Sequence, residues 1–287
     1  MKEFFSELWK DILKNKGAFA GLILILLFIL LALLAPVLSP YSPDEVIDGA
    51  LRLSPGATFQ NHYFFLGTDD IGRDLLSRLL YGSRVSLMVG LSVVLISASV
   101  GTSLGLFAGY FGGWSDRIIS RTMDFIMALP SVLFAIVIVA VLGPGLVNAI
   151  VAVSIVALPN FTRLIRAQVL AERNKQYVQA AHLYGASSLR ILFRDILPNC
   201  IAPLIVQASL GFSDGVLNCA ALGFLGLGAQ APTPEWGTML SDARSYMETS
   251  PWMVNTPGIC ILVVVLSFNL LGDGLRDALD PRLKNRT

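Results

Sequence analysis

The sequence predicts an all-α membrane protein that crosses the bilayer six times. The chain of 287 residues is 54% hydrophobic and only 14% charged, with mean hydropathy +0.68. A soluble domain carries about 25% charged residues and needs them to cover its surface. Long stretches run without one charge, and Gly143-Pro144-Gly145 interrupts the longest of them where a tight turn is required. The net charge of +1 gives no ground for a nucleic-acid partner, whereas membrane lipid must surround the apolar stretches.

Residues 17–38 form the first span: they are rich in Leu and Ile, too long for a signal-peptide core, and not followed by a small-residue cleavage pattern. Residues 85–109 form the second. The run 125–162 holds no charge and as one helix would reach about 57 Å, far beyond a hydrocarbon core of about 30 Å. With its Gly-Pro-Gly centre it predicts a helical hairpin, the third and fourth spans. Residues 200–225 make the fifth span, interrupted only by Asp214, and 254–271 the sixth. Gly101, Gly105 and Gly109 recur every four residues in the second span, a spacing that lets another helix approach closely. The same residues match a GxSxG pattern, but a nucleophile elbow needs a strand before its turn, so that match is accidental.

Lysine and arginine set the orientation. With the N-terminus cytoplasmic, the tails, residues 111–124 and residues 163–198 hold sixteen of the 21 basic residues. Both termini are therefore expected inside, although Arg73, Arg78 and Arg84 would lie outside and near the membrane. The chain divides into residues 1–84 (tail, first span, outer segment), 85–275 (a five-helix core holding loop 163–198) and 276–287 (tail). Cys200, Cys219 and Cys260 all fall in spans, which suits buried apolar residues better than disulfides.

The chain lacks a GxxxxGK[ST] loop and an HExxH pair, so it carries no sequence signal for ATP, metal or cofactor binding of its own. No repeat relates its halves, as many secondary carriers would show. Against this background the polar stretch YVQAAHLYGASSLRILFRDILPN, residues 177–199, stands out. Tyr177 to Tyr184 makes two helical turns, Gly185 can take the left-handed conformation that stops them, and Ser187 or Ser188 can cap a second helix that Pro198 closes. Such an elbow suits insertion into a groove on a partner protein; it equally suits an amphipathic helix lying on the membrane.

The stretch resembles the cytoplasmic loop motif of bacterial ABC-importer permeases, with Gln179-Ala180-Ala181, Gly185 and Ile196-Leu197-Pro198 at its fixed positions. The usual Glu is Gln179, and a common His is Asp195. Blocks 66–87, 223–244 and 268–284 also resemble the second permease of dipeptide and oligopeptide importers, nearest the dipeptide type. The resemblance implies a type I importer architecture in the bacterial inner membrane. It implies as partners a homologous second permease, two cytoplasmic ATPases that bind ATP and Mg, and a periplasmic or lipid-anchored solute-binding protein. It assigns ATPase coupling to Tyr177, Gln179, Ala180, Ala181, Gly185, Ala186, Ser187, Arg190, Leu197 and Pro198, and a non-catalytic role to the chain. Cargo in the wider family includes nickel complexes, glutathione and haem as well as peptides.

Two further sites follow from the residues. Asp214, the single charge in the predicted spans, should face protein or water, with Asn218 one turn on as a hydrogen-bond partner. It either lines a pathway or holds two helices together, and it would be the acid of an autonomous proton-coupled carrier, the competing class. In the outer block, Glu235, Trp236 and Asp242 sit in a loop stiffened by Pro232 and Pro234, and are expected to touch the binding protein or to cover the helix ends.

Overall fold

The computed structural model describes residues 12–279; the ends of both expected tails, residues 1–11 and 280–287, lie outside the described residues. Among the described residues five helices are long and apolar enough to cross a membrane, and a bent pair counted as one span brings the number to six. Helix α1 (Lys16–Leu38) starts where the Asn15 side chain accepts from the N–H groups of Gly17 and Ala18, and matches the first expected span. Residues 39–74 then form a compact outer segment. It contains an unexpected two-stranded hairpin, β1 (Ala57–Phe59) and β2 (His62–Phe64), turned by Gln60 and Asn61, both at positive φ. Three-residue strands without a glycine turn leave too little pattern to read in advance.

Helix α2 (Leu75–Phe111) is 37 residues long, about 55 Å, and starts ten residues before the second expected span. It therefore runs through the expected boundary at residues 84 and 85 without a break. Its early start follows from the Asp74 cap, whose carboxylate accepts from the Ser77 N–H at 2.7 Å, and from burial of its first turns under the outer segment. Arg73 and Arg78, which fit the charge asymmetry poorly, both approach the Asp69 carboxylate, at 2.5 and 3.6 Å.

The third span departs most from expectation. Residues 111–124, expected to link the second and third spans, are mostly helical: α3 (Gly113–Ala128) bends by 98° into α4 (Ser131–Leu142). Pro130 causes the bend, because the residue before a proline is driven from helical to extended backbone, here Leu129 at φ −99° and ψ 141°. Twelve residues of α4 reach only about 18 Å. Gly143-Pro144-Gly145 then turns the chain into α5 (Leu146–Glu172) as expected, and the Gly145 N–H donates to the Leu227 carbonyl.

The elbow helix α6 (Gln176–Leu183) precedes α7 (Ser188–Phe224), which is continuous through Pro198. The expectation that Pro198 ends the elbow is corrected here. Residues 191–196 are a π-helix, and this wider turn carries the chain past a proline that has no N–H to donate. A short α8 (Trp236–Ala243) leads to α9 (Trp252–Leu279), the sixth span.

Glycines fix the packing. A Cβ on Gly101, Gly105 or Gly109 would lie 2.6–2.7 Å from Phe161, Thr162 or Val169, so the α2 glycine face lies directly on α5. Gly21 likewise brings α1 against the Ser267 carbonyl of α9. The three cysteines are unpaired, with Cys200 and Cys219 buried and Cys260 half-buried.

Candidate functional site

The elbow has two unlike faces. Val178, Ile191, Leu192 and Ile196 are buried against Leu106 of α2 and Ile165 and Val169 of α5, while Ala181 and Ala186 pack at the edge. Gly185 stops α6 with φ +76°, its N–H bonded to the His182 carbonyl and the Ala186 N–H to the Ala181 carbonyl. That double bond with a left-handed residue is the glycine cap expected there. The Ser187 hydroxyl then accepts from the Arg190 N–H at 3.4 Å. The elbow's root is tied down at Glu172, whose carboxylate receives Lys175 at 2.6 Å and the Tyr177 hydroxyl at 2.7 Å. Burial, and then the bond to Glu172, pushes the Tyr177 phenol well above its ordinary range. Gln179 donates to the Asn174 carbonyl and otherwise faces outward with Arg190 and Pro198, while Ala180 and Leu197 are half-buried.

At the apex, Leu183 is 89% and Tyr184 92% exposed. Their own residue types do not mark these two, since an apolar residue in a short amphipathic helix reads as buried. The signal is Gly185, because a chain that reverses at a glycine cap leaves the residues before it at the tip.

Asp214 faces a hollow of about 340 Å³ between the α3–α4 bend, α5 and α7, shared with Asn160, Gln207 and Asn218. Asn218 donates to the Asp214 backbone carbonyl at 2.7 Å and not to the carboxylate, which corrects the expected pair.

The outer block is corrected more firmly. Trp236 is fully buried and Glu235 is 4% exposed, so neither can anchor a partner. The Trp236 indole donates to the Leu79 carbonyl at 3.3 Å and packs edge-on against Phe28. Glu235 caps α8, accepting from Gly237 and Thr238 at 2.8 and 2.9 Å and from the Ser86 hydroxyl at 3.4 Å; burial pushes its carboxyl above the usual range. Of the three, Asp242 alone stays accessible, 3.8 Å from Arg73. Among the described residues no cluster of His, Cys, Asp or Glu could hold a metal ion.

The family described as binding-protein-dependent transport system inner membrane component matches residues 101–285, a stretch that holds both the elbow and the Asp214 hollow. The chain belongs to that family. A second match, to the N-terminal membrane domain of oligopeptide transport permease C, covers residues 3–55. The permease is 54% identical to the di/tripeptide transport system permease protein DppC of Pseudomonas aeruginosa, over 97% of this chain and 92% of that one. It is 51% identical to the dipeptide transport system permease protein DppC of Haemophilus influenzae (97% and 95%). It is 44% identical to the glutathione transport system permease protein GsiD of Pectobacterium atrosepticum (97% and 91%). In fold it matches a chain of the MetNI methionine ABC transporter in an inward-facing conformation, with TM-score 0.57 and 20% identity over 71% of this chain and 97% of that one. The permease thus has the type I importer fold.

Proposed function

We propose that this permease is one of two transmembrane subunits of an ATP-driven importer that carries dipeptides or short oligopeptides from periplasm to cytoplasm by alternating access. The observation that carries this reading is 54% identity, over nearly the whole chain, to a relative named for di- and tripeptide transport, against 44% to one named for glutathione. The chain lies in the inner membrane with both termini in the cytoplasm, beside a homologous permease, two ATPases and a solute-binding protein.

The elbow supplies the mechanical link. Leu183 and Tyr184 enter a groove on an ATPase, while Val178, Ile191 and Leu192 press on α2 and α5. Closure of the ATPases on ATP pushes the elbow, and because its inner face is fully packed, that push moves helices instead of being lost in side-chain rearrangement. ATP and Mg stay with the ATPases, and this chain performs no chemistry.

Reconstitution of the four membrane-associated subunits with the binding protein tests the proposal. Labelled dipeptide should enter proteoliposomes only with ATP on the ATPase side and the binding protein on the other. Uptake driven by a proton gradient without ATP would make the chain an autonomous carrier. ATP-driven uptake of glutathione or a nickel complex, but not of dipeptides, would reassign the cargo.

A further inference from the structure

Two hollows lie against α5 and α7: one of about 340 Å³ at Asp214 and one of about 510 Å³ beside Arg276, and Gln207 borders both. Gln207, Asp214 and Asn218 are seven and four residues apart, which puts them on one face of α7. Asn160 borders the first hollow from α5 and Gln168 the second. The two hollows therefore meet at Gln207, with an acid in the first, carboxamides in both and a cation beside the second. Among the described residues no donor reaches the Asp214 carboxylate, and its neighbour Asn218 is spent on the backbone. A charge in a membrane helix is costly unless it faces protein or water and finds a partner. Here it faces the first hollow.

We propose that Asp214 binds the protonated amino end of a peptide in transit, with Asn160 and Gln207 hydrogen-bonding its amide groups. The inference rests on the importer reading and names the chemistry of its pathway. Gln207 and Asp214 are separated by about 10 Å along α7. An extended dipeptide spans about 7 Å, so an amino end at Asp214 leaves the carboxylate pointing toward Gln207 and Arg276. One charge pair in an open, wet hollow is weak, as release of varied peptides requires.

The test uses the reconstituted importer with its binding protein. Asp214→Asn should assemble, keep binding-protein-stimulated ATP hydrolysis and the half-saturating peptide concentration, and import a few-fold less peptide per ATP; Asp214→Glu should restore most of that loss. Separately, in the assembled complex without ATP or binding protein, Asn160→Cys is labelled with a thiol reagent in a chain freed of Cys200, Cys219 and Cys260. A millimolar dipeptide should protect the thiol and its N-acetylated form should not. Equal protection by both forms overturns the proposal, as does wild-type import by Asp214→Asn. Failure of Asp214→Asn to assemble makes the carboxylate a subunit contact and overturns it too. If the wild type imports no peptide, the importer reading fails, and the protection assay still decides this one.

Discussion

The Tyr110 hydroxyl lies 3.0 Å from Nε2 of His182, and the two rings stack with centroids 6.1 Å apart and planes at 14°. Tyr110 ends the long helix α2 and His182 sits next to the elbow apex, so this pair joins the membrane helix to the element proposed to receive the ATPase stroke. The contact is at the surface, and the hydrogen bond should contribute about 0.5–1.5 kcal/mol. Tyr110→Phe keeps the stack and removes the bond. It should leave assembly intact and lower peptide imported per ATP hydrolysed a few-fold, and His182→Ala, which removes both, should do more. Unchanged stoichiometry in both variants would show that the stroke bypasses α2.

Gly185 separates backbone strain from steric contact, because a Cβ there would meet nothing within 4 Å while φ is +76°. A β-branched residue forced into that conformation costs roughly 1–2 kcal/mol or more, and Asn less. Copurification of the ATPases should therefore decline in the order Gly, Asn, Ala, Val, with membrane insertion unchanged throughout. Equal retention by Gly185→Val would mean that the elbow does not need its reversal.

The α2–α5 seam gives the opposite case. A Cβ on Gly105 would lie 2.6 Å from the Thr162 carbonyl oxygen and 2.8 Å from Ile165 Cβ, while one on Gly258 of α9 would have 3.9 Å to Leu240. Gly105→Ala should lower stability in detergent by about 1–3 kcal/mol. Gly258→Ala should be neutral or stabilising by up to about 1 kcal/mol, from helix propensity alone. Thermal melts of the two variants beside the wild type would read this directly.

Much of this architecture is legible in the sequence, for identifiable reasons. Charge-free runs locate spans because burying a charge in lipid is costly, and the four-residue glycine period on α2 announces a helix seam that the structure places on α5. The elbow's glycine cap is equally local and shows itself at Gly185. What does not show is whatever depends on how the chain folds back on itself or on the exact backbone at a turn. Arg78 looks like a membrane-flanking cation until Asp69 is brought beside it. Trp236 looks like an exposed anchor until Phe28 and Leu79 close over it. Pro130 and Pro198 look alike as helix breakers; one bends its helix by 98°, and the other is absorbed by a π-turn. Proline's local chemistry is the same in both places, but Leu129 before Pro130 is extended while Leu197 before Pro198 stays helical.

Glu235 carries a prediction about acidity. Its carboxyl, ordinarily near 4.5, is raised by burial, against the opposing pull of the bonds from Gly237, Thr238 and Ser86. Between the unfolded and the raised folded value, the folded state holds more protons than the unfolded one. In that window the group's contribution to stability falls as pH rises and recovers on acidification. The melting temperature of the wild type relative to Glu235→Gln should therefore rise as the pH is lowered toward the group's ordinary range. The two N–H groups use different carboxylate oxygens, so the Gln variant keeps an acceptor for one and turns its NH2 toward the other; that loss is the same at every pH, so the pH dependence of the difference reports the carboxyl. Glu235→Ala also loses the α8 cap and should be less stable than Gln by about 1 kcal/mol at every pH. A wild-type advantage that instead grew toward alkaline pH would mean that the folded carboxylate is stabilised, and that Ser86 and the two N–H groups outweigh burial.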